Sequence, residues 1–506
     1  MGGKLGLLFL LAWVVVASCS GVSLPIKAVN LGGWLVVEGW MTHLFHGVDM
    51  GYALMGRCSS VTLWLATQGM FLSAVGGSGS DVVANQGEAK NWETLRLWRM
   101  KHSEDMFMIR VHDGQFVGLD NNGGLVAIQT SPGKAGEFQI VRNAGLARIK
   151  APNGRFLQVK TGGVVTADGD ATSGSWSDSD PSVFTMKITG QMDGDAQLCS
   201  FYGAEKTVSI LQDHWNTFIT EEDFRFISSN GLNAVRIPVA WWITKTDDTP
   251  SCHPPNYPGY QAMLDRAFQW AEKYNLGVIV DLHAAPWSQN GQSHSASRDG
   301  TVGWGDQNID ETVRVIEGLA ARYAAKKSLL GIGLLNEPSE QVHIDTLKKY
   351  YKAGYNAVRN QVKRDDVYVI MEGRLAGGGD SEMADFARQF RNCVLDVHFY
   401  NLYGDMFNAG RMSAEQNIRY VTTHQADHLK SLIRANGALV FIGEWTAEWK
   451  VGGASREENQ TFVDAQLDVY GQATFGWAFW TYSNPKDPYW SLKSLIKDGN
   501  ITVPQN

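Results

Sequence analysis

Charge is scarce in this chain: 19% of its 506 residues are Asp, Glu, Lys or Arg, the formal net charge is −8, and no basic cluster occurs. That balance argues against nucleic acid and anionic membrane as principal partners, because both call for grouped Lys and Arg. Cysteine is scarce as well, with five in all, and no CxxC or Cys/His spacing marks a metal site. Long apolar runs are missing except for one. It extends from Leu5 to Ala17, follows Lys4, and ends in the small residues Ser18-Cys19-Ser20-Gly21. About 13 apolar residues are too few to span a bilayer, so residues 1–21 read as a secretory signal peptide. The expected destination is extracellular, in or near a cell wall. Cys58, Cys199, Cys252 and Cys393 then remain, allowing two disulfides in three connectivities. A Cys58–Cys199 bridge is one option. Asn459-Gln460-Thr461 and Asn500-Ile501-Thr502 are glycosylation sequons suited to that compartment.

What the chain does have is apolar and aromatic material, 44% hydrophobic with 18 Trp, enough for a large core and for stacking against sugar faces. From about Val61 to Ile188 the texture is rich in Gly, Ser and Asn, with short alternating runs. Gln68-Gly69-Met70-Phe71-Leu72, Asp113-Gly114-Gln115-Phe116-Val117 and Asn153-Gly154-Arg155-Phe156-Leu157 repeat one pattern at a period of about 40 to 45 residues. Three all-β units of this size, each too small to bury its own face, predict a closed three-fold arrangement over residues 58–190.

The rest alternates between strand-like and helix-like segments. Strands are expected near Val29–Val37, Asn233–Pro238, Gly277–His283, Gly331–Asn336, Val367–Met371, Val394–Val397, Leu439–Gly443 and Phe475–Thr481. Helices are expected near Met263–Tyr274, Glu311–Ala325, Ile344–Gln361 and Glu457–Tyr470. Eight strands alternating with helices predict an α/β fold, a (β/α)8 TIM barrel. Residues 22–57 would supply its first strand and 191–506 the remainder, with the all-β unit inserted between them. An insert whose ends lie close together is expected to be removable with activity kept within roughly tenfold.

Two of the expected strands end in glutamate: Glu337 after Gly331-Ile332-Gly333-Leu334-Leu335-Asn336, and Glu444 after Leu439-Val440-Phe441-Ile442-Gly443. An unpaired charge on a buried strand is costly, but in a TIM barrel the carboxyl ends of strands carry the catalytic groups. Two such carboxylates suggest a glycosidase pair.

The barrel segments resemble glycoside hydrolase family 5, in its branch of secreted β-glucosidases and exo-β-1,3-glucanases. The motifs that carry the resemblance are Asn30-Leu31-Gly32-Gly33-Trp34, Asn233-Ala234-Val235-Arg236-Ile237-Pro238, Asp281-Leu282-His283, Leu335-Asn336-Glu337-Pro338, Asp396-Val397-His398-Phe399-Tyr400, Gly443-Glu444-Trp445 and Gly476-Trp477-Ala478-Phe479-Trp480. The insert resembles fascin-like β-trefoils. The resemblance implies Glu337 as acid/base and Glu444 as nucleophile of a retaining reaction that needs no cofactor and no metal. It implies supporting roles for Arg236, beside Glu444, and for Asn336, His398 and Tyr400. Glu38, His283 and Trp480 would bind the terminal sugar. Burial is expected to keep Glu337 protonated while Arg236 keeps Glu444 ionised. The expected substrates are β-glucan oligosaccharides or small β-glucosides, with cell-wall polysaccharide as a further partner. An endo-acting β-1,4-glucanase or mannanase and a non-catalytic carbohydrate-binding wall protein are the alternatives. One loop departs from the family pattern: Trp287 stands where Gly is usual, and Gln292-Ser293 where yeast-type exoglucanases carry Phe-Asp. The departure implies that an aromatic clamp and a carboxylate of the positive subsites are absent.

Overall fold

The computed structural model describes residues 22–42, 60–67, 69–76, 79–99, 106–129, 136–143, 146–170, 175–177, 179–188, 193–252, 255–434 and 437–504. The signal-peptide segment and Cys58 lie outside them.

Eight parallel strands close into a barrel: Ile26–Asn30, Ala234–Ala240, Gly277–Ala284, Leu329–Gly333, Tyr368–Glu372, Cys393–Phe399, Leu439–Trp445 and Gly476–Phe479. The first strand closes the ring by pairing with both the second and the eighth. Every residue of the second and third strands is buried, as parallel strands covered by helices on the outside must be. The two-residue period of a strand sorts their side chains. Val235, Ile237, Val278 and Val280 join the large cluster that includes helix residues. Ala28, Ala234, Ile279, Ile370 and Val394 form a separate apolar cluster. Two positions further along, on that same face, stand Asn30, Arg236, Asp281, Glu372 and Asp396, all buried. The barrel interior thus changes from apolar to charged over one period, at the carboxyl ends of the strands.

The helices Tyr260–Lys273, Ile309–Tyr323, Ile344–Gln361 and Arg456–Tyr470 stand where the periodicity predicts them. The first strand is shorter than expected. It ends at Asn30, because the chain turns at Gly33 (φ 72°) and carries the equally buried Leu35–Val37 away from the barrel wall.

Between the first and second barrel strands lies an all-β domain. Strands Ser60–Thr67, Leu95–Arg99, Met106–Arg110, Phe138–Asn143, Leu146–Lys150 and Phe184–Ile188 pair in a closed antiparallel ring. Three hairpins complete it: Met70–Ser73 with Val83–Gln86, Phe116–Leu119 with Leu125–Gln129, and Phe156–Val159 with Val165–Gly169. This is a β-trefoil, and the sequence repeat marks its three units. Gly69, Gly114 and Gly154 sit at equivalent turns with φ of 76°, 89° and 82°, a region open to Gly at little cost. Leu97, Phe107, Ile109, Phe138, Ile149, Leu157 and Phe184 fill a core of its own.

A disulfide joins Cys199, on helix Asp195–Tyr202, to Cys252. This corrects the option of a Cys58–Cys199 bridge across the base of the insert. Cys393 is free and buried.

Candidate active site

Arg236, on the second strand, organises the charged end of the barrel. Its guanidinium donates to Glu444 Oε1 (2.8 Å), Asn30 Oδ1 (2.9 Å) and Asn336 Oδ1 (2.7 Å), and it lies 3.2 Å from Asp281 and 3.8 Å from Asp396. Burial alone would favour its neutral form, but Asp281, Glu444 and Asp396 overcome this and raise its pKa further. Room for these carboxylates comes from glycine. A Cβ on Gly333 would stand 2.5 Å from Asp281 Oδ1, and one on Gly443 would collide with Asp396. Gly443 N instead donates to Asp396 Oδ1 at 2.8 Å.

Glu444 has both oxygens engaged, since Tyr400 donates its hydroxyl to Oε2 at 2.7 Å. Glu337 follows the fourth strand in a left-handed conformation (φ 45°). Its backbone N–H donates to Glu372 Oε2 (2.7 Å), and Asn290 Nδ2 donates to its carbonyl (3.0 Å). His398 Nδ1 is 2.8 Å from Glu337 Oε1, and His294 Nε2 is 3.3 Å from Oε2. Glu337, His398 and Glu444 each bring one ligand-type atom within 4.8 Å of the other two. Glu372, Asp396 and His398 form a second such group. Either could hold a cation by geometry, though Arg236 and the imidazoles already supply positive charge there.

The protonation pattern departs from expectation. Burial pushes the Glu337 carboxyl up, but hydrogen bonds from His294 and His398 outweigh it and hold the group well below the usual carboxylate range. His398 is held well above the ordinary imidazole range, because Glu372, Glu444, Glu337 and Asp396 outweigh its burial. In the free site the mobile proton therefore rests on His398 rather than on Glu337, and burial alone does not set the state of Glu337. Glu372, by contrast, is raised strongly by burial.

Three polar atoms in this region are buried without a hydrogen-bond partner among the described residues: Asn336 Nδ2, His398 Nε2 and Glu38 Oε1. Burial pushes Glu38 up to about 7, and Trp40 Nε1 donates to its Oε2 at 2.9 Å. Trp480 stacks on His283, with ring centroids 5.3 Å apart and planes 5° from parallel. Asp281 Oδ2 holds His283 Nδ1 at 2.7 Å. Gly32 makes the indole's position possible, as a Cβ there would stand 2.7 Å from the Trp480 ring.

The structure brings together Glu337, Glu444, Arg236, Asn336, His398 and Tyr400 by direct contacts. His283 and Trp480 form a stacked pair beside them, and Glu38 lies within electrostatic reach of Glu337 and Glu444. Sequence reasoning missed His294, Glu372, Asp281 and Asp396. The two Asp residues carried a signal: each precedes an expected site His by two positions, and so shares its strand face.

A family model described as "Cellulase (glycosyl hydrolase family 5)" matches residues 198–486, and a domain of unknown function, DUF7910, matches residues 56–189. The chain is similar to a "Glucan 1,3-beta-glucosidase" of Lachancea kluyveri, 31% identical over 353 residues and covering 60% of this chain and 77% of that one. A protein of the same name from Blumeria graminis is 32% identical over 372 residues, covering 64% and 83%. The solved structure of rutinosidase from Aspergillus niger is similar in fold, with a TM-score of 0.50 at 20% identity, covering 60% of this chain and 88% of that one.

Proposed function

Since the chain belongs to glycosyl hydrolase family 5 and is thereby a glycoside hydrolase, we propose that it is a secreted exo-acting β-glucosidase. It would cleave β-glucosidic bonds of short glucan oligosaccharides or small glucosides with retention. The observation that carries this reading is the approach of a Glu337 oxygen and a Glu444 oxygen to within 4.8 Å. Retaining pairs stand about 5–5.5 Å apart, whereas inverting pairs leave about 6.5–9.5 Å for a water.

In the first step the Glu444 carboxylate attacks the anomeric carbon and the glycosidic C–O bond breaks. His398 passes its proton to Glu337 across 2.8 Å and Glu337 delivers it to the leaving oxygen, so the step ends with Glu337 ionised and His398 neutral. The glycosyl ester so formed removes the negative charge of Glu444, which lowers the proton affinity of its neighbours. Glu337 then acts as base on a water, whose oxygen displaces Glu444 and releases a β-configured sugar. Asn336 Nδ2, its Oδ1 occupied by Arg236, is a free donor for the 2-hydroxyl. Glu38 Oε1 is a free acceptor for a hydroxyl of the terminal sugar, and Trp480 is the apolar floor beneath the ring.

Exo-action is favoured by Glu38, a buried carboxylate that accepts from Trp40 through Oε2 and whose Oε1 has no hydrogen-bond partner among the described residues. The names of the curated relatives support β-1,3-linked glucan as the substrate class. Export is supported by the N-terminal pattern and by the Cys199–Cys252 disulfide, a bond suited to an oxidising compartment. The decisive experiment treats the enzyme with a 2-deoxy-2-fluoro-β-glucoside bearing a good leaving group. We expect a stable glycosyl adduct on the peptide containing Glu444. An adduct elsewhere, or rapid inverting turnover, would overturn the assignment. Product analysis on laminari-oligosaccharides is expected to give glucose from the first time point, and a ladder of fragments would favour endo-action.

A further inference from the structure

The loop after the third barrel strand, residues 285–308, is held at two places. At one, the trefoil grips it. Trp98 Nε1 donates to Asp299 Oδ2 (2.9 Å), and Arg110 donates to the same oxygen (3.1 Å) and to Thr301 Oγ1 (2.7 Å). Trp98 stacks on Trp287 with centroids 5.9 Å apart, and the Arg298 guanidinium lies 4.2 Å from the Trp98 ring. The Asp299 side chain is only 2% exposed, so this is a buried, charge-assisted junction with defined geometry rather than a surface contact.

At the other place, the loop reaches the acid/base. Asn290 donates to the Glu337 carbonyl, and His294 Nε2 lies 2.9 Å from Asn290 Nδ2 and 3.3 Å from Glu337 Oε2. The two ends are tied through Ser288. Its Oγ is 2.5 Å from Ser295 Oγ and accepts from Gly291 N, and its carbonyl accepts from Gly303 N and Trp304 N. Trp287 and Ser288 are both left-handed, with φ of 68° and 65°. Non-glycine residues adopt that conformation at a cost of roughly 1–3 kcal/mol each, and only where their surroundings enforce it. Here the enforcing contacts include a ring from the other domain.

We propose that the trefoil is a positioning element for catalysis: Trp98 and Arg110 fix the loop that presents His294 to Glu337, so that both domains build the active centre. The inference rests on the reading of Glu337 as acid/base. His294 faces Glu337, Glu38 and Glu444, with His283 edge-on at 5.2 Å. Glu337 faces His294, His398, Glu372 and Glu444, with Tyr400 and Tyr403 in the same field. A well-placed His294 cation stabilises the ionised form of Glu337, and a displaced one lets Glu337 hold its proton to higher pH. The contacts also bear on the expectation that the insert can be excised cheaply, since excision would strip Asp299 of Arg110 and remove the ring stacked on Trp287.

The test compares full-length Arg110→Gln and Trp98→Leu with His294→Gln and with the Arg110→Gln/His294→Gln double variant. kcat and KM are measured against pH on laminaribiose, a poor leaving group, and on 4-nitrophenyl β-glucoside. The expected result is an approximately tenfold fall in kcat on laminaribiose with KM within about twofold. The alkaline limb of kcat/KM should move upward in every variant, and the defects should not add in the double variant. Arg110→Lys, which keeps the charge facing Asp299, is expected to recover most of the loss. A wild-type pH profile in soluble Arg110→Gln, or additive defects, would overturn the proposal. Should Trp98→Leu fail to fold, the arginine variants decide alone. Glu337→Gln in parallel separates the two readings: equal loss on both substrates would remove the acid assignment itself, whatever the loop does.

Discussion

His398 Nδ1 stands 2.8 Å from Glu337 Oε1, and after His294 it is the second imidazole whose hydrogen bond lowers the proton affinity of that carboxylate. Because His398 also lies 3.6 Å from Glu444 Oε2, it couples the charge of the proposed nucleophile to the readiness of the proposed acid.

Replacing His398 with Asn should therefore shift the pH profile as well as the rate. His398 keeps the shared proton of the pair to high pH, so its loss leaves Glu337 to hold that proton alone and moves the alkaline limb of kcat/KM to lower pH. kcat on disaccharides is expected to fall on the order of 10²-fold, the usual scale of general acid assistance. An unchanged alkaline limb would place the controlling proton elsewhere.

Glu444→Gly should abolish turnover while Arg236 keeps Asp281 and Asp396 as partners and the fold persists. Azide is expected to restore part of the activity on an activated aryl glucoside and to yield an α-configured glycosyl azide. A β-configured azide product would reassign the nucleophile.

Arg236→Met should destabilise the barrel by about 3–5 kcal/mol, the scale for stranding buried charges. It leaves Asp281, Asp396 and Glu444 without their shared cation. Arg236→Lys is expected to recover only part of this, since an ammonium cannot reproduce the planar fork that reaches Asn30, Asn336 and Glu444 together. Guanidinium unfolding curves for the three proteins decide it.

Asp195 provides a stability test away from catalysis. It is buried, and its carboxyl is pushed up to about 7 by desolvation, although Val37 N donates to its Oδ2 at 2.8 Å. An acid raised on folding binds more protons folded than unfolded, so stability falls as pH rises from about 4 to about 7. Asp195→Asn keeps an acceptor for Val37 and removes the titration. It should raise the melting temperature at pH 7.5, with an upper bound of about 4 kcal/mol, and change little at pH 4. Equal effects at both pH values would contradict the burial argument.

The barrel was legible because buried parallel strands abandon alternation and end abruptly at Gly, Pro or a polar residue, as Gly331–Pro338 and Leu439–Trp445 do. The first strand was read too long, since Leu35–Val37 is as apolar as the strand itself and only the turn at Gly33 reveals the change of direction. At the site, Glu337, Glu444 and Arg236 could be read from motifs. Glu372 fell one residue past the expected end of the fifth strand, which spans Tyr368–Glu372. His294 could not be read, because its reach to Glu337 depends on the path of a loop without periodicity. The Trp98–Asp299 contact joins residues 201 positions apart and leaves no trace in local pattern. The protonation of Glu337 was misjudged for the same reason, as burial was legible and the second imidazole was not.

Placing the trefoil after Asn30 has a consequence for synthesis as well. Ile26–Asn30 leaves the ribosome about 200 residues before its first neighbour, Ala234–Ala240, and well over 400 before its second, Gly476–Phe479. During that interval it is an apolar strand with no mate. The trefoil, with a core of its own, can fold meanwhile and draw the two ends of a very long connection together, reducing the chain entropy that barrel closure must overcome. A nascent chain arrested before residue 476 would carry two open strand edges, which makes the arrival of Gly476–Phe479 the step that commits the barrel.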